Sequence, residues 1–447
     1  MKLIIKDILA LLPSKKDATR DVVTKATIYI ENNAIAGVTS CGDETASDPE
    51  PFSASEADKI IDGQDKMVIP GLVNAHTHSY MCFMRNAADD LSFTDWLFHR
   101  VSHFEDEMTD EDAYWGAKLA ILEMLKSGTT CFNDMQMNIH QTTKAVKESG
   151  MRAVISRGLV GNGNDEAGAM RLRQAYEEKE AAADCDRLSF YLGPHAPYTC
   201  DEEFLKIVSD EAKKNQMGIH IHLSESVTEI ENCRKQYGCS PIELAKRTGI
   251  FDVPCVAAHC VQINERDMEI LKACNVSVAT NPASNMKLGN GFAPVPEMIK
   301  AGINVCLGTD GAASNNSLNM FHELNLLMMV HKGVKCQSEC ISAPEGIRIA
   351  TLNGAKALGL EKEIGSIEKG KKADLAILNL NQPSLRPLNH PLSALCYSAN
   401  GSEVETVIID GRIVMENRVV LTMDETEIYE KCEEISHRII VSEGVNN

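Results

Sequence analysis

"MVIPGLVNAHTH", residues 67–78, is apolar as far as Val73 and then places His76 and His78 one residue apart. The run is short and bounded by polar residues, which reads as a buried β-strand. In a strand successive side chains point to opposite faces, so His76 and His78 share one face and Ala75 and Thr77 the other. Two imidazoles then converge on one point at the end of the strand. A lone H-x-H is a weak pattern, and one histidine bonded in a core with the other in solvent would also account for it.

Seven further runs of the same kind follow it, namely "TTCFNDM" (129–135), "RAVISRGL" (152–159), "LSFYLGPHAP" (188–197), "GIHIHLSE" (218–225), "PCVAAHC" (254–260), "VSVATNP" (276–282) and "INVCLGTDG" (303–311). Each is followed by a helix-like stretch such as "DAYWGAKLAILEMLKSG" (112–128) or "SLNMFHELNLLMMVHK" (317–332). Near-continuous apolar strands alternating with helices make a parallel sheet covered by helices, and eight such units predict closure into a β/α barrel. An open doubly wound sheet is the alternative. Neither a G-x-G-x-x-G nor a G-x-x-x-x-G-K-[ST] follows any of the strands, so the usual dinucleotide and nucleotide-phosphate arguments fall away.

The two ends differ from the middle. "KLIIKDILALL" (2–12) and "ATIYIENNAIAGV" (26–38) precede the barrel, separated from it by the acidic "GDETASDPEPFSASEAD" (42–58). "KADLAILNL" (372–380) and "VETVIIDGRIVMENRVV" (404–420) follow it, with a hairpin signal at Asp410-Gly411. Both ends therefore read as β and are expected to pair into a small β-sandwich beside the barrel. The expected division is 1–66 and 362–447 for that sandwich and 67–361 for the catalytic barrel.

Composition restricts the function classes. The 447 residues are 44% hydrophobic and 24% charged, a globular balance, and no stretch has the uncharged length of a membrane span. The start, "MKLIIKDILALLPSKKD", breaks its apolar residues with Lys6 and Asp7 and reads as a strand, not a signal peptide. Fifteen scattered cysteines without paired C-x-x-C clusters point to reduced thiols and a cytoplasmic protein. A formal charge of −20 opposes binding to a phosphate backbone, which leaves a small molecule as the expected partner. A homo-oligomer is among the assemblies these features allow.

Polar residues gather at the carboxyl ends of the strands: His76 and His78 on the first, His195 on the fourth, His222 and Glu225 on the fifth, His259 on the sixth and Asp310 on the eighth. In a barrel those ends form one rim, where active sites are built. Each residue singly could be a satisfied core polar group, but their coincidence at one end of separate strands argues for a site. His76, His78, His222 and Asp310 suit Zn²⁺, with iron second, in a site that keeps room for water. His220 shares a face with His222 and is the competing ligand. It would lie deeper in the strand, which favours His222. Glu225 must lie beyond the regular strand to face the same centre, and a carboxylate beside a metal's water is a proton shuttle.

These motifs, with "DDLSFTDWL" (89–97), "TDEDAYWGAKLAILEMLKSGTTCFNDM" (109–135), "GPHAPYTC" (193–200), "HLSES" (222–226), "AAHC" (257–260) and the stretch from Asn281 to Glu323, resemble the amidohydrolase superfamily and, within it, the 5′-methylthioadenosine/S-adenosylhomocysteine deaminases. The resemblance spans almost the whole chain. It implies a barrel with a β-sandwich from both ends, and one metal held by His76, His78, His222 and Asp310. It implies Glu225 as acid/base, His259 as the polarising histidine, Asp310 as a further proton acceptor, and nucleoside contacts from Glu105, Arg157 and His195, with Glu225 and Asp310 also touching the substrate. The implied reaction is hydrolytic deamination of adenine nucleosides carrying a 5′-thioether, or of adenosine. Ser102-His103 stands where the family often has Trp-Pro, and Gln262 where an aromatic is more usual, so the pocket wall is expected to differ. Deamination or dechlorination of another heterocycle (guanine, cytosine, a triazine) is the alternative, and a non-catalytic metal-binding protein a more distant one.

Overall fold

The structure is a computed structural model that describes residues 1–442 apart from 18, 43 and 138. Eight parallel strands pair in sequence order: Leu72–Thr77, Thr129–Gln136, Arg152–Leu159, Leu188–Pro194, Ile219–Leu223, Cys255–His259, Ser277–Thr280 and Asn304–Leu307. The ring is drawn together where the N–H groups of Thr309 and Asp310 donate to the carbonyl of His76, at 3.1 and 3.0 Å. Small and branched residues of alternate pleats, among them Cys131, Val154, Val256, Ala279 and Cys306, fill the interior as one cluster. The opposite pleats, such as Ile155, Ile221 and Val305, pack under the surrounding helices. This is the eight-stranded β/α barrel that the apolar runs predict.

Residues 67–78 do not form one strand. The run divides at Gly71: Lys66–Pro70 belongs to the sheet of the chain ends, pairing antiparallel with Leu375–Asn379, and only Leu72–Thr77 enters the barrel. The reason is local. Gly71 donates its N–H to the carbonyl of Asp374 at 3.0 Å, and a Cβ built on it would lie 2.0 Å from Oγ1 of Thr130. Only glycine lets the backbone cross from one sheet to the other so close to a neighbouring strand.

The chain ends supply one nine-stranded mixed sheet. Its core of Leu3, Ile5, Ile28, Ile30, Leu375 and Ile377 is covered by the sheet's own strands and the segment leading into Leu375–Asn379, so the sheet curls over itself. Not all of the C-terminal segment is β. Glu425–Ser442 is a helix that returns to the barrel, with Ile428, Cys432, Ile435 and Ile439 buried at intervals of four, three and four. Cys432 Sγ meets the carbonyl of Trp115, and Arg438 pairs with Asp112, both on the helix Asp110–Lys126. Among the described residues no helix is long and apolar enough to cross a membrane.

Barrel and sheet are tied by a buried ion pair. Arg152 donates from Nε to Asp374 Oδ2 at 2.6 Å and from Nη2 to Oδ1 at 3.1 Å, and the two side chains are 3% and 1% exposed. Asp374→Ala would leave the buried guanidinium with Asp410 Oδ1, 3.5 Å from Nη2, in place of its bidentate partner. It is expected to cost about 3 kcal/mol in urea unfolding, the range seen when one member of a buried pair is removed.

Candidate active site

The polar strand ends meet at the carboxyl rim of the barrel. His76 is fully buried, and His78, His222, His259, Glu225 and Asp310 are buried beside it. The backbone strains to deliver three of the turns: Ser224, His259 and Asp310 have φ of 54°, 72° and 62°, a region that side-chain-bearing residues seldom occupy. Such outliers concentrate where geometry is dictated by chemistry.

Hydrogen bonds determine which ring nitrogen of each histidine carries the proton. His78 Nδ1 lies 2.6 Å from the carbonyl of Met135 and His222 Nδ1 2.8 Å from that of His195. A carbonyl only accepts, so both rings carry a proton at Nδ1, and in the neutral ring Nε2 is then bare. A longer chain settles His76. Ser156 donates to the carbonyl of Asp134 at 2.9 Å, which leaves its oxygen to accept from His220 Nδ1 at 3.2 Å. His220 Nε2 then accepts from His76 Nδ1 at 2.8 Å, and His76 Nε2, buried with no hydrogen-bond partner among the described residues, is bare. Both nitrogens of His220 are thus occupied in orienting His76, at a deeper level of the barrel than His222.

The bare nitrogens face one another. His78 Nε2 and His222 Nε2 are 3.2 Å apart, and Asp310 Oδ1 lies 3.4 Å from Nε2 of both His76 and His78. Lone pairs and a carboxylate at such distances repel unless a cation sits among them. Burial pushes His76 down to about 3 and His222 well below its ordinary value, so neither ring supplies the positive charge at neutral pH. The donor set fits a metal ion. Nitrogens of His76, His222 and His259, and the donor atoms of His76, His78 and Asp310, form two overlapping groups within 4.8 Å.

Asp310 is held rigidly. Gly311 N–H donates to Oδ1 at 2.8 Å, and Ser284 and Ser314 donate to Oδ2 at 2.6 and 2.8 Å. Burial works against its charge, but the neighbouring histidines, with the charge-favoured His259 among them, outweigh it and keep the carboxyl well below the usual range. Glu225 is the opposite case: burial dominates and raises its carboxyl, although His259 pulls it down. Asn290 donates to Glu225 Oε1 at 2.9 Å, and Glu225 Oε2 stands 3.9 Å from His259 Nε2. His259 Nδ1 is engaged by Asn285 Oδ1 at 2.8 Å. Burial disfavours its charge, yet Glu225 and Asp310 together hold it above the ordinary histidine value. Two carboxyls driven apart beside a favoured imidazolium form a proton-handling set.

Above this floor opens a pocket of about 870 Å³, counting its mouth, with His195 and Glu105 in its walls. Glu105 accepts from the Tyr80 hydroxyl, and burial lifts its carboxyl. His195 Nδ1 is 2.9 Å from Thr199 Oγ1, and burial lowers the ring to about 4. Arg157 is not brought to the wall. Ser156 reaches the barrel interior, so alternation turns Arg157 outward, where Nη1 meets Glu178 Oε1 at 2.6 Å on the helix Glu166–Ala181. The two unusual positions have plain roles. Gln262 Nε2 donates to the carbonyl of Asn290 at 2.6 Å and so supports the loop that holds Glu225. Ser102 lines the pocket and donates to the carbonyl of Leu97 at 2.8 Å.

Several working residues escape a strand-end reading: Asn285, Asn290, Ser284 and Ser314 lie in loops and short helices and act by single hydrogen bonds. Their signal is compositional, the density of Asn and Ser between residues 281 and 316.

Known proteins share this architecture. The family model described as "Amidohydrolase family" matches residues 67–414. A protein of Acetivibrio thermocellus named 5-methylthioadenosine/S-adenosylhomocysteine deaminase is 47% identical over 386 residues, 86% of this chain and 89% of that one. One of the same name from Thermoanaerobacter pseudethanolicus is 42% identical over 98% of this chain and all of its own. Among solved structures, an adenosine deaminase from Xanthomonas campestris with bound zinc superposes with a TM-score of 0.90 at 31% identity, covering 98% of both chains. With its barrel, its rim of histidines and a family match over most of its length, the chain belongs to the amidohydrolase family.

Proposed function

We propose that this protein hydrolyses the exocyclic amino group of adenine nucleosides carrying a 5′-thioether, 5′-methylthioadenosine and S-adenosylhomocysteine, and of adenosine, releasing ammonia. The observation that carries the reading is the floor of the pocket, where bare histidine nitrogens, an ionised Asp310 and an uncharged-leaning Glu225 meet. The relatives' names support the substrate class. So do the walls: Phe93, Trp96, Leu97, Phe98, Met135 and Met137 make an apolar sleeve in which a soft thioether packs well.

In this reading one zinc per chain is held by His76, His78, His222 and Asp310, with iron second, and 67–361 is the catalytic unit, flanked by the two chain ends, 1–66 and 362–447. Bound there, the ion would act as a Lewis acid that makes water acidic near neutral pH. Asp310 takes a proton from the attacking water as its oxygen bonds to purine carbon six. Glu225 gives its proton to the adjacent ring nitrogen. His259, held charged, stabilises the developing negative oxygen. Asp310 then protonates the amino group, which leaves as ammonia, while the new hydroxyl returns a proton to Glu225 and becomes the carbonyl of the inosine analogue. Fifteen free thiols agree with a cytoplasmic location.

The zinc-loaded protein should release ammonia from methylthioadenosine, S-adenosylhomocysteine or adenosine; release from none of them would refute the assignment. Glu105 is assigned to the ribose hydroxyls as a charged acceptor. Glu105→Gln is therefore expected to raise KM for nucleosides about 10-fold or more, the usual worth of a charge-assisted hydrogen bond, with little change in kcat. An unchanged KM would remove Glu105 from the ribose.

A further inference from the structure

Glu225 follows a strand that ends at Leu223, and its place depends on how the chain leaves that strand. Ser224 turns it, in the left-handed conformation at φ 54°. The Ser224 hydroxyl does not hold the turn, for its oxygen is buried with no partner among the described residues. Four residues past Glu225 lies Glu229, 4% exposed, on the first turn of the helix Val227–Tyr237. The cap of that helix, Ser226, accepts from the Glu229 N–H at 3.2 Å. A glutamate in this position ordinarily folds back onto the N–H of the cap residue itself. Here the carboxylate passes the cap. Ser224 N–H donates to Glu229 Oε1 at 2.8 Å, and Glu225 N–H donates to Oε2 at 2.7 Å.

We propose that Glu229 is a positioning residue for Glu225: its carboxylate clamps the two peptide N–H groups of the Ser224 turn and so directs the Glu225 side chain at the metal-facing floor. The clamp works with Asn290, which fixes the other end of the same side chain. The inference rests on the proton-carrying role proposed for Glu225. A glutamate serving only to cap the helix would satisfy the cap residue and leave the turn before it alone.

The test is a double-mutant cycle. Glu229→Gln keeps the size but offers one acceptor oxygen to two donors and turns an NH₂ toward a peptide N–H. It should lower kcat about 10-fold or more, a fraction of what general acid/base catalysis contributes, with KM and zinc content unchanged. In a Glu225→Gln background the same change should do nothing further, because a residue acting through Glu225 has no effect once its proton is gone. Reductions that multiply, or an unaffected kcat, would overturn the proposal. Glu229→Asp, which keeps the charge but withdraws it by a methylene, should show the same kcat deficit if Glu229→Gln folds poorly. Asp267→Asn is the control. Asp267 is an equally buried capping carboxylate away from the site, accepting from Asn264 N–H at 3.1 Å, and its loss should lower stability without a kcat effect. A crystal structure of Glu229→Gln adds a readout independent of substrate: the turn at 224–225 should shift while His76, His78, His222 and Asp310 stay in place. An unmoved turn would overturn the inference, whereas a wild-type protein inactive on every adenine nucleoside would overturn the assigned reaction and leave this structural result standing.

Discussion

Glu225→Gln is expected to abolish most of the activity while the protein keeps its metal. The substitution retains length and shape, and its amide oxygen can still accept from Asn290 as Glu225 Oε1 does at 2.9 Å. What it loses is the titrating proton. Positioned acid/base groups contribute about 10²–10⁴-fold, so kcat should fall by at least that lower figure. Zinc measured by elemental analysis should stay near one per chain, because the bare nitrogens and Asp310 are untouched. A metal-free Glu225→Gln protein would make Glu225 a ligand and require a different proton carrier.

His222→Ala should do the reverse and lose the metal itself, and with it all measurable turnover. The His222 ring is pinned through Nδ1 to the carbonyl of His195 and presents Nε2 3.2 Å from that of His78. His220 cannot replace it, since both its nitrogens are engaged with His76 and Ser156. Removing one of four donors weakens binding because the remaining ones cannot complete the shell. Full zinc occupancy in His222→Ala would show that His76, His78 and Asp310, the group without it, hold the ion by themselves.

The period of apolar residues made the barrel readable, because each strand is buried on both faces and each intervening helix on one. Strand ends could be compared across the chain for the same reason, and the six buried residues of the floor all stand at them. The break at Gly71 was not readable, since Pro70-Gly71 inside an apolar run is compatible with one bent strand, and its meaning depends on Thr130 and Asp374, distant in sequence. The last helix carried a helical spacing in Ile428, Cys432, Ile435 and Ile439 that a β reading of the C-terminal end overlooks. Arg157 shows the limit of position alone. Its strand and its end of the strand suit a substrate contact, but pleat direction and the Glu178 carboxylate place it under a helix. Asn285 and Asn290 each meet a floor residue by one hydrogen bond, and Glu229 spans two peptide N–H groups, all across irregular backbone that leaves no periodic trace.

The split at Gly71 also matters during synthesis. Lys66–Pro70 finds its antiparallel neighbour only in Leu375–Asn379, about 300 residues later, so on a ribosome adding roughly 5–20 residues per second that edge waits on the order of 15–60 s. Throughout that interval an apolar strand edge is open to pairing with another nascent chain. The barrel between the two halves is built from neighbours in sequence and can form first, whereas the terminal sheet has a high contact order and must close last. A polypeptide stopped before residue 375 lacks that partner strand and leaves the Lys66–Pro70 edge unpaired on that side.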